Sequence, residues 1–126
     1  MQLSLKVVPG SFAVCRLPAG SEMPHWFHPG RFASVSWSDQ ELSLACDEAL
    51  VPEGVQCERE WSCLMLQGPF PFHLTGVLLR VLQPLAAADV GIFAVSTFDT
   101  DYVLVKTRSL EKARQALVAS GLSFLD

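Results

Sequence analysis

The apolar positions change period along this chain. Over residues 3–17 they alternate: LSLKVV, then Pro9-Gly10, then SFAVCRL. A period of two reads as strand, and a Pro-Gly between two such runs reads as a turn, so the pattern predicts a hairpin here. PAGSEMPHWFHPG comes next, with prolines at 18, 24 and 29 and glycines at 20 and 30. That composition predicts a loop with one helical turn after Pro24. SVSWS then alternates strictly, with Val35 and Trp37 to one side and Ser34, Ser36 and Ser38 to the other. After Asp39-Gln40, ELSLAC alternates again, which predicts a second hairpin with Asp39 in its turn. The polar stretch PEGVQCERE at 52–60 reads as a linker.

The second half is more regular. WSCLMLQG reads as a strand ending near Gly68, and GPFPFHLTG as a loop, since each proline turns the residue before it away from helix. From Leu74 the period lengthens. Leu74, Val77, Leu78, Val81, Leu82 and Leu85 form one apolar helix face, with Arg80 and Gln83 opposite. Pro84 removes a hydrogen bond and clashes with the Arg80 carbonyl, at a cost of about 3 kcal/mol, so a kink or a loosened last turn is expected there. Gly91 is placed to reverse the chain. IFAVST and YVLVK read as two strands, joined by a turn at Asp99. Ser109 is placed to cap a second helix, with Glu111 in its first turn and Leu110, Ala113, Ala116 and Leu117 as its buried stripe. Gly121 ends that helix, and LSFL at 122–125 is a last strand. From Trp61 onward the order is β-α-β-β-α-β, a ferredoxin-like arrangement in an α+β fold. The expected division is a β-rich half at 1–58 packed with the ferredoxin-like half at 59–126.

Composition narrows the function classes. The chain has 126 residues, 50% of them hydrophobic, which suffices for a packed core. Nine basic residues against 13 acidic give a net charge of −4, with no basic run, which argues against a nucleic-acid partner. Cys15, Cys46, Cys57 and Cys63 form no CxxC pair, so they read as reduced, partly buried thiols rather than zinc ligands. MQLSLKVVPG has no continuous apolar core of the signal-peptide kind. No apolar run approaches the roughly 20 residues needed to span a bilayer. A soluble, cytoplasmic protein without a membrane partner is the expectation.

Candidate chemistry is sparse. Asp99-x-Asp101, with the hydroxyls of Thr97 and Thr100, offers oxygen ligands for a cation, but no EF-hand spacing follows. As an acid–base pair the two carboxylates need environments that separate their pKa values. His25 and His28 flank Trp26-Phe27 in a proline-bounded loop, and His73 precedes the first long helix. There is no GxSxG, P-loop or HExxH. No enzyme, metal or cofactor is expected from these residues. Trp26, Trp37 and Trp61 read as core or interface residues.

Three stretches carry a resemblance. FHLTGVL, with Gly76 at the head of the helix, and QPLAAADVGIFAVST lead into STFDTDYVLV. Together they resemble an ACT domain, in the branch of small tandem ACT-like proteins related to CASTOR-type arginine sensors and to aspartate kinase regulatory domains. The resemblance is strong over 60–120 and fair over 10–58, where SFAVCRLP and SVSWSDQELSLAC are similar to an ACT-like first half. It implies non-catalytic binding of a small effector, an amino acid above all, at an interface between two ACT units, and a homodimer. It places Phe72, Leu74, Thr75 and Gly76 on one lip of the site and Val90, Gly91, Ile92 and Phe93 on the other. Ser96 joins them, and Asp101 is the recognition acid while Asp99 shapes the turn. Gly76 at a helix start would let a carboxylate approach free N–H groups at the positive end of the dipole. Gly91 would let a strand edge face a ligand amine. The other reading is an ACT-like module that has lost its ligand and only pairs with a protein.

Overall fold

The structure is a computed structural model and describes residues 2–125. Strands β1 (Ser4–Pro18), β2 (Ser34–Trp37), β3 (Glu41–Asp47) and β4 (Cys57–Leu66) come first. Helix α1 (Val77–Ala87), strands β5 (Ile92–Ser96) and β6 (Asp101–Lys106), helix α2 (Leu110–Ala119) and strand β7 (Ser123–Leu125) follow. The chain forms two compact units. One runs up to Val8 and resumes at Ser62; the other is Pro9–Trp61. β1 and β4 each contribute residues to both.

In the first unit the neighbouring strands run β7, β1, β4, β6, β5. The β-α-β-β-α-β order is present, and the fold is α+β. One feature departs from the simple ferredoxin-like plan: β7 lies parallel to the start of β1, from Ser4 opposite Ser123 to Lys6 opposite Leu125. The core gathers Leu3 and Leu5 from β1, Leu64 and Leu66 from β4, Val103 and Val105 from β6, and the helix stripes. Val77, Val81 and Leu85 of α1 and Ala113 and Leu117 of α2 are buried, at the predicted spacings.

The helix ends show how local chemistry sets the boundaries. α1 starts three residues later than the apolar stripe suggests, because Gly76 sits at φ 80°, a left-handed conformation that no helix interior accepts. Leu74 therefore packs on the core from the loop. The helix runs through Pro84 to Ala87. It closes with Val90 N–H on the Leu85 carbonyl (2.9 Å) and Asp89 N–H on Ala86 (3.0 Å), a Schellman pattern. The left-handed residue there is Asp89, at φ 60°, and not the expected Gly91. α2 ends the same way, with Gly121 at φ 95° and Leu122 N–H on Leu117. Ser109 occupies the N-cap position of α2, but its side chain makes no capping bond.

Two strand expectations are corrected. Residues 3–17 do not fold back at Pro9-Gly10: β1 is one 15-residue strand. Each half has a partner elsewhere, β7 for the first and β3 for the second, from Phe12 opposite Asp47 to Pro18 opposite Glu41. Pairing the halves with each other would forfeit both ladders. The second correction is the linker at 52–60. β4 already begins at Cys57, with Cys57 and Arg59 half-buried and Glu58 and Glu60 exposed. That alternation is a strand pattern in polar residues.

The second unit pairs its strands β2, β3, β1, β4 in that order. β2 and β3 form the expected antiparallel hairpin, Ser34 opposite Ala45 to Trp37 opposite Leu42. Trp37, read from the sequence as a core or interface residue, is 61% exposed on this outer strand and so is not part of the core. The core holds Ala13, Cys15, Leu42, Leu44, Cys46 and Val51, with Trp26 and Phe27 packed on it from the 19–33 loop. His25 and His28 are exposed. The four cysteines are free.

Candidate functional site

The loop after β4 and the turn between β5 and β6 meet in the first unit and enclose a groove of about 510 Å³. Phe70, Pro71, Phe72, Leu74 and Val77 line one wall; Ser96 through Asp101 line the other. The walls are tied by their backbones. Phe70 N–H donates to the Asp99 carbonyl at 2.8 Å, and Thr100 Oγ1 donates to the Leu66 carbonyl at 2.7 Å. Gly68 makes this approach possible, since a Cβ there would lie 2.9 Å from the Asp99 carbonyl oxygen. Thr97 closes the turn, its N–H donating to the Thr100 carbonyl at 2.8 Å and its Oγ1 to the same oxygen at 2.9 Å.

Inside the groove the polar groups are few. Ser96 Oγ donates to Asp101 Oδ1. The lining residues include two acids, Asp99 and Asp101, and no base. Val77 is the first residue of α1, whose N-terminal end no side chain caps. Its first N–H groups have no partner within the helix and carry the positive end of the dipole. At the rim, Phe72 and Phe98 meet edge to face with centroids 4.7 Å apart. They are 75% and 78% exposed, unusual for two neighbouring phenyl rings.

The structure thus brings together Phe72, Leu74, Ser96 and Asp101 from the sequence-predicted set. Thr75 and Gly76 follow directly in the chain, both exposed, between Leu74 and the start of α1. Val90, Gly91, Ile92 and Phe93 lie at the other end of β5. Ile92 is opposite Val105 and Phe93 opposite Leu104, whereas Ser96 is opposite Asp101. Val90 is buried in the core. The Asp99 backbone carbonyl accepts from Phe70 N–H and so ties the two walls, and His73 is exposed outside the lining. Among the described residues no group of three or more His, Cys, Asp or Glu is arranged to hold a metal. Also among the described residues, no helix is long and apolar enough to cross a membrane. Sequence reasoning missed Phe98. Its signal was a phenyl ring at a turn flanked by Thr and Asp, where burial has nothing to offer.

A family model for the ACT domain matches residues 56–119, just over half of the chain, including both walls of the groove. The chain belongs to the ACT-domain family. A second family model, described as an N-terminal domain, matches residues 10–54. A solved structure of a protein from Agrobacterium tumefaciens is 41% identical, with 99% of this chain and 93% of that one covered and a TM-score of 0.93. More distant structures share the fold. E. coli aspartokinase III, solved with aspartate and ADP, is 15% identical at a TM-score of 0.63, with 94% of this chain covering 32% of that one. A putative C-terminal regulatory domain of aspartate kinase from Porphyromonas gingivalis is 17% identical at a TM-score of 0.57, with 94% and 95% covered. These distant likenesses show a shared fold, and within it the groove of the ACT unit lies between the loop after β4 and the β5–β6 turn.

Proposed function

We infer that this ACT-domain protein is a non-catalytic receptor for a small effector, an amino acid or close analogue, bound at the Phe72–Asp101 groove. The observation that carries the reading is the pairing, in one groove, of an uncapped helix start with the Asp101–Ser96 pair. An amino acid's carboxylate suits the first, and its ammonium or a cationic side chain suits the second. Phe72 and Phe98 would cover an apolar part.

β5 ends the strand order of the first unit. A second chain laid antiparallel along that edge about a two-fold axis would bring its Ile92 end opposite this chain's Ser96 end. Val90, Gly91, Ile92 and Phe93 would then complete the neighbour's site, with Thr75 and Gly76 beside it. This is an isologous dimer, closed by its own symmetry.

A thermal-shift panel of the twenty amino acids tests the reading, because a ligand bound only by the native state raises the melting temperature. At least one is expected to raise it, and Asp101→Asn is expected to remove that rise. No rise with any of them at millimolar concentration would sink the amino-acid reading. The second reading, an ACT module that only pairs with a protein, is favoured by the exposed Phe72–Phe98 pair. Light scattering on Phe98→Ser separates the two. If the pair only holds a protein partner, the assembly falls apart and no amino acid binds the wild-type chain.

A further inference from the structure

A second groove, of about 720 Å³, lies in the Pro9–Trp61 unit, and its chemistry differs from the first. Its lining includes both signs of charge: Arg31 and Arg59 against Asp47 and Glu48. Two of these groups are committed within the fold. Arg59 donates to the carbonyls of Glu48, Val51 and Pro52 at 3.0–3.4 Å. Glu48 Oε1 accepts from Ser11 Oγ at 2.9 Å and from the Glu60 N–H at 2.8 Å.

The other two are uncommitted. Asp47 stands at the N-cap of the turn Glu48–Leu50, where an aspartate ordinarily accepts a backbone N–H, yet it makes no capping bond. Gly30 instead makes room for its carboxylate. A Cβ on Gly30 would collide with Asp47 Oδ2, whereas one on Gly10 would make only ordinary contact with Oδ1 at 4.0 Å. Arg31, exposed in the same groove, has no hydrogen-bond or ion-pair partner among the described residues. Nor do Arg31 and Asp47 pair with each other.

We propose that this groove is a separate binding site for a free amino-acid zwitterion, with its ammonium on Asp47 and its carboxylate on Arg31. The four charged groups of the lining sum to zero, so a neutral zwitterion adds no net charge. Each of its ends meets a group that the fold leaves without a counter-ion. A simple anion would satisfy Arg31 and meet repulsion from Asp47; a simple cation would do the reverse. Cys46, directly before Asp47, packs in the core instead, and of the two lining acids only Asp47 is left without a hydrogen bond to its carboxylate among the described residues.

The experiment uses the full chain carrying Asp101→Asn, which disables the first groove and leaves this one intact. The twenty L-amino acids are titrated by calorimetry, and the best binder is compared with its own amide and its own N-acetyl derivative. Binding is expected to weaken about tenfold or more on losing either ligand charge, as charged hydrogen bonds do. Asp47→Asn, Arg31→Gln and Gly30→Ala are each expected to weaken it to a similar degree. Urea unfolding of each variant shows that it remains folded, and Asp47→Asn keeps the side chain's shape. The proposal is overturned if no amino acid binds the Asp101→Asn chain. It is equally overturned if the amide or the N-acetyl form binds as tightly as the parent, or if inorganic phosphate displaces it. Binding to the wild type that Asp101→Asn abolishes entirely would keep the first groove and sink this one.

Discussion

The two units cover a sheet in different ways. In the first, α1 and α2 lay continuous apolar stripes on β1, β4 and β6, and the core is made almost wholly of Leu and Val. In the second no α-helix is present among the described residues. A loop carrying Trp26 and Phe27 closes over β1 and β3 instead, and two thiols stand among the aliphatic residues. Ala13 is opposite Cys46 and Cys15 opposite Leu44, so Cys15 and Cys46 are diagonal neighbours on one face. The hydrogen bond between them holds the Cys15 thiol well above its ordinary value and the Cys46 thiol below. A helix spends its polar backbone internally and can bury a long stripe. A loop cannot, and the second unit accordingly closes its core with a few large rings rather than a continuous stripe.

Core truncation is the strongest way to break this comparison. Leu85→Ala in α1 and Leu44→Ala in β3 remove side chains that are both fully buried, and each is expected to cost ~2–5 kcal/mol in urea unfolding. If Leu44→Ala proved silent, the loop-covered core would not be closely packed, and the likeness between the two interiors would end there.

Glycine substitutions sharpen it next. Gly76→Ala forces a side chain into φ 80° and is expected to cost ~1–2 kcal/mol. Gly91→Ala meets open space without a left-handed backbone and is expected to change stability by less than ~0.5 kcal/mol. Equal losses at both sites would show that Gly91 carries a constraint of its own.

The last effect, confined to alkaline solution and slight near neutral pH, is the pH dependence of a single thiol. Burial pushes Cys63 from 9.0 up to about 12. An unfolded chain releases that proton near its ordinary value, while the folded one keeps it. Between pH 9 and about 12 stability therefore falls as pH rises, by at most ~1.4 kcal/mol per pH unit from this group. Urea midpoints across pH 8–10 should fall less steeply for Cys63→Ala than for the wild type. Parallel slopes would mean that the thiol ionises as readily folded as unfolded.

Helix stripes were legible because their information is local. Leu74 to Leu85 sit within a few turns of one another, and only the start was misplaced, by the backbone of Gly76. β1 was not legible as one strand, since its partners Asp47 and Ser123 are far along the chain and nothing near Pro9 announces them. The groove at Asp101 was half legible. Asp101, Ser96, Leu74 and Phe72 came from the likeness of their segments to ACT domains, whereas Phe98 has a role only once the loop from Gly68 is folded beside it. Residues 10, 31, 47 and 59 carry no pattern at all until three strands and a loop assemble.

The pairing of Ser4–Lys6 with Ser123–Leu125 has a temporal consequence. A ribosome delivers the first residues of this ladder long before their mates. Until those mates arrive the leading segment has an unsatisfied strand edge, and the Pro9–Trp61 unit can form ahead of the unit it interrupts. The unit that carries the Asp101 groove is thus completed only once Ser123–Leu125 has been made, after the Pro9–Trp61 unit already has all of its residues.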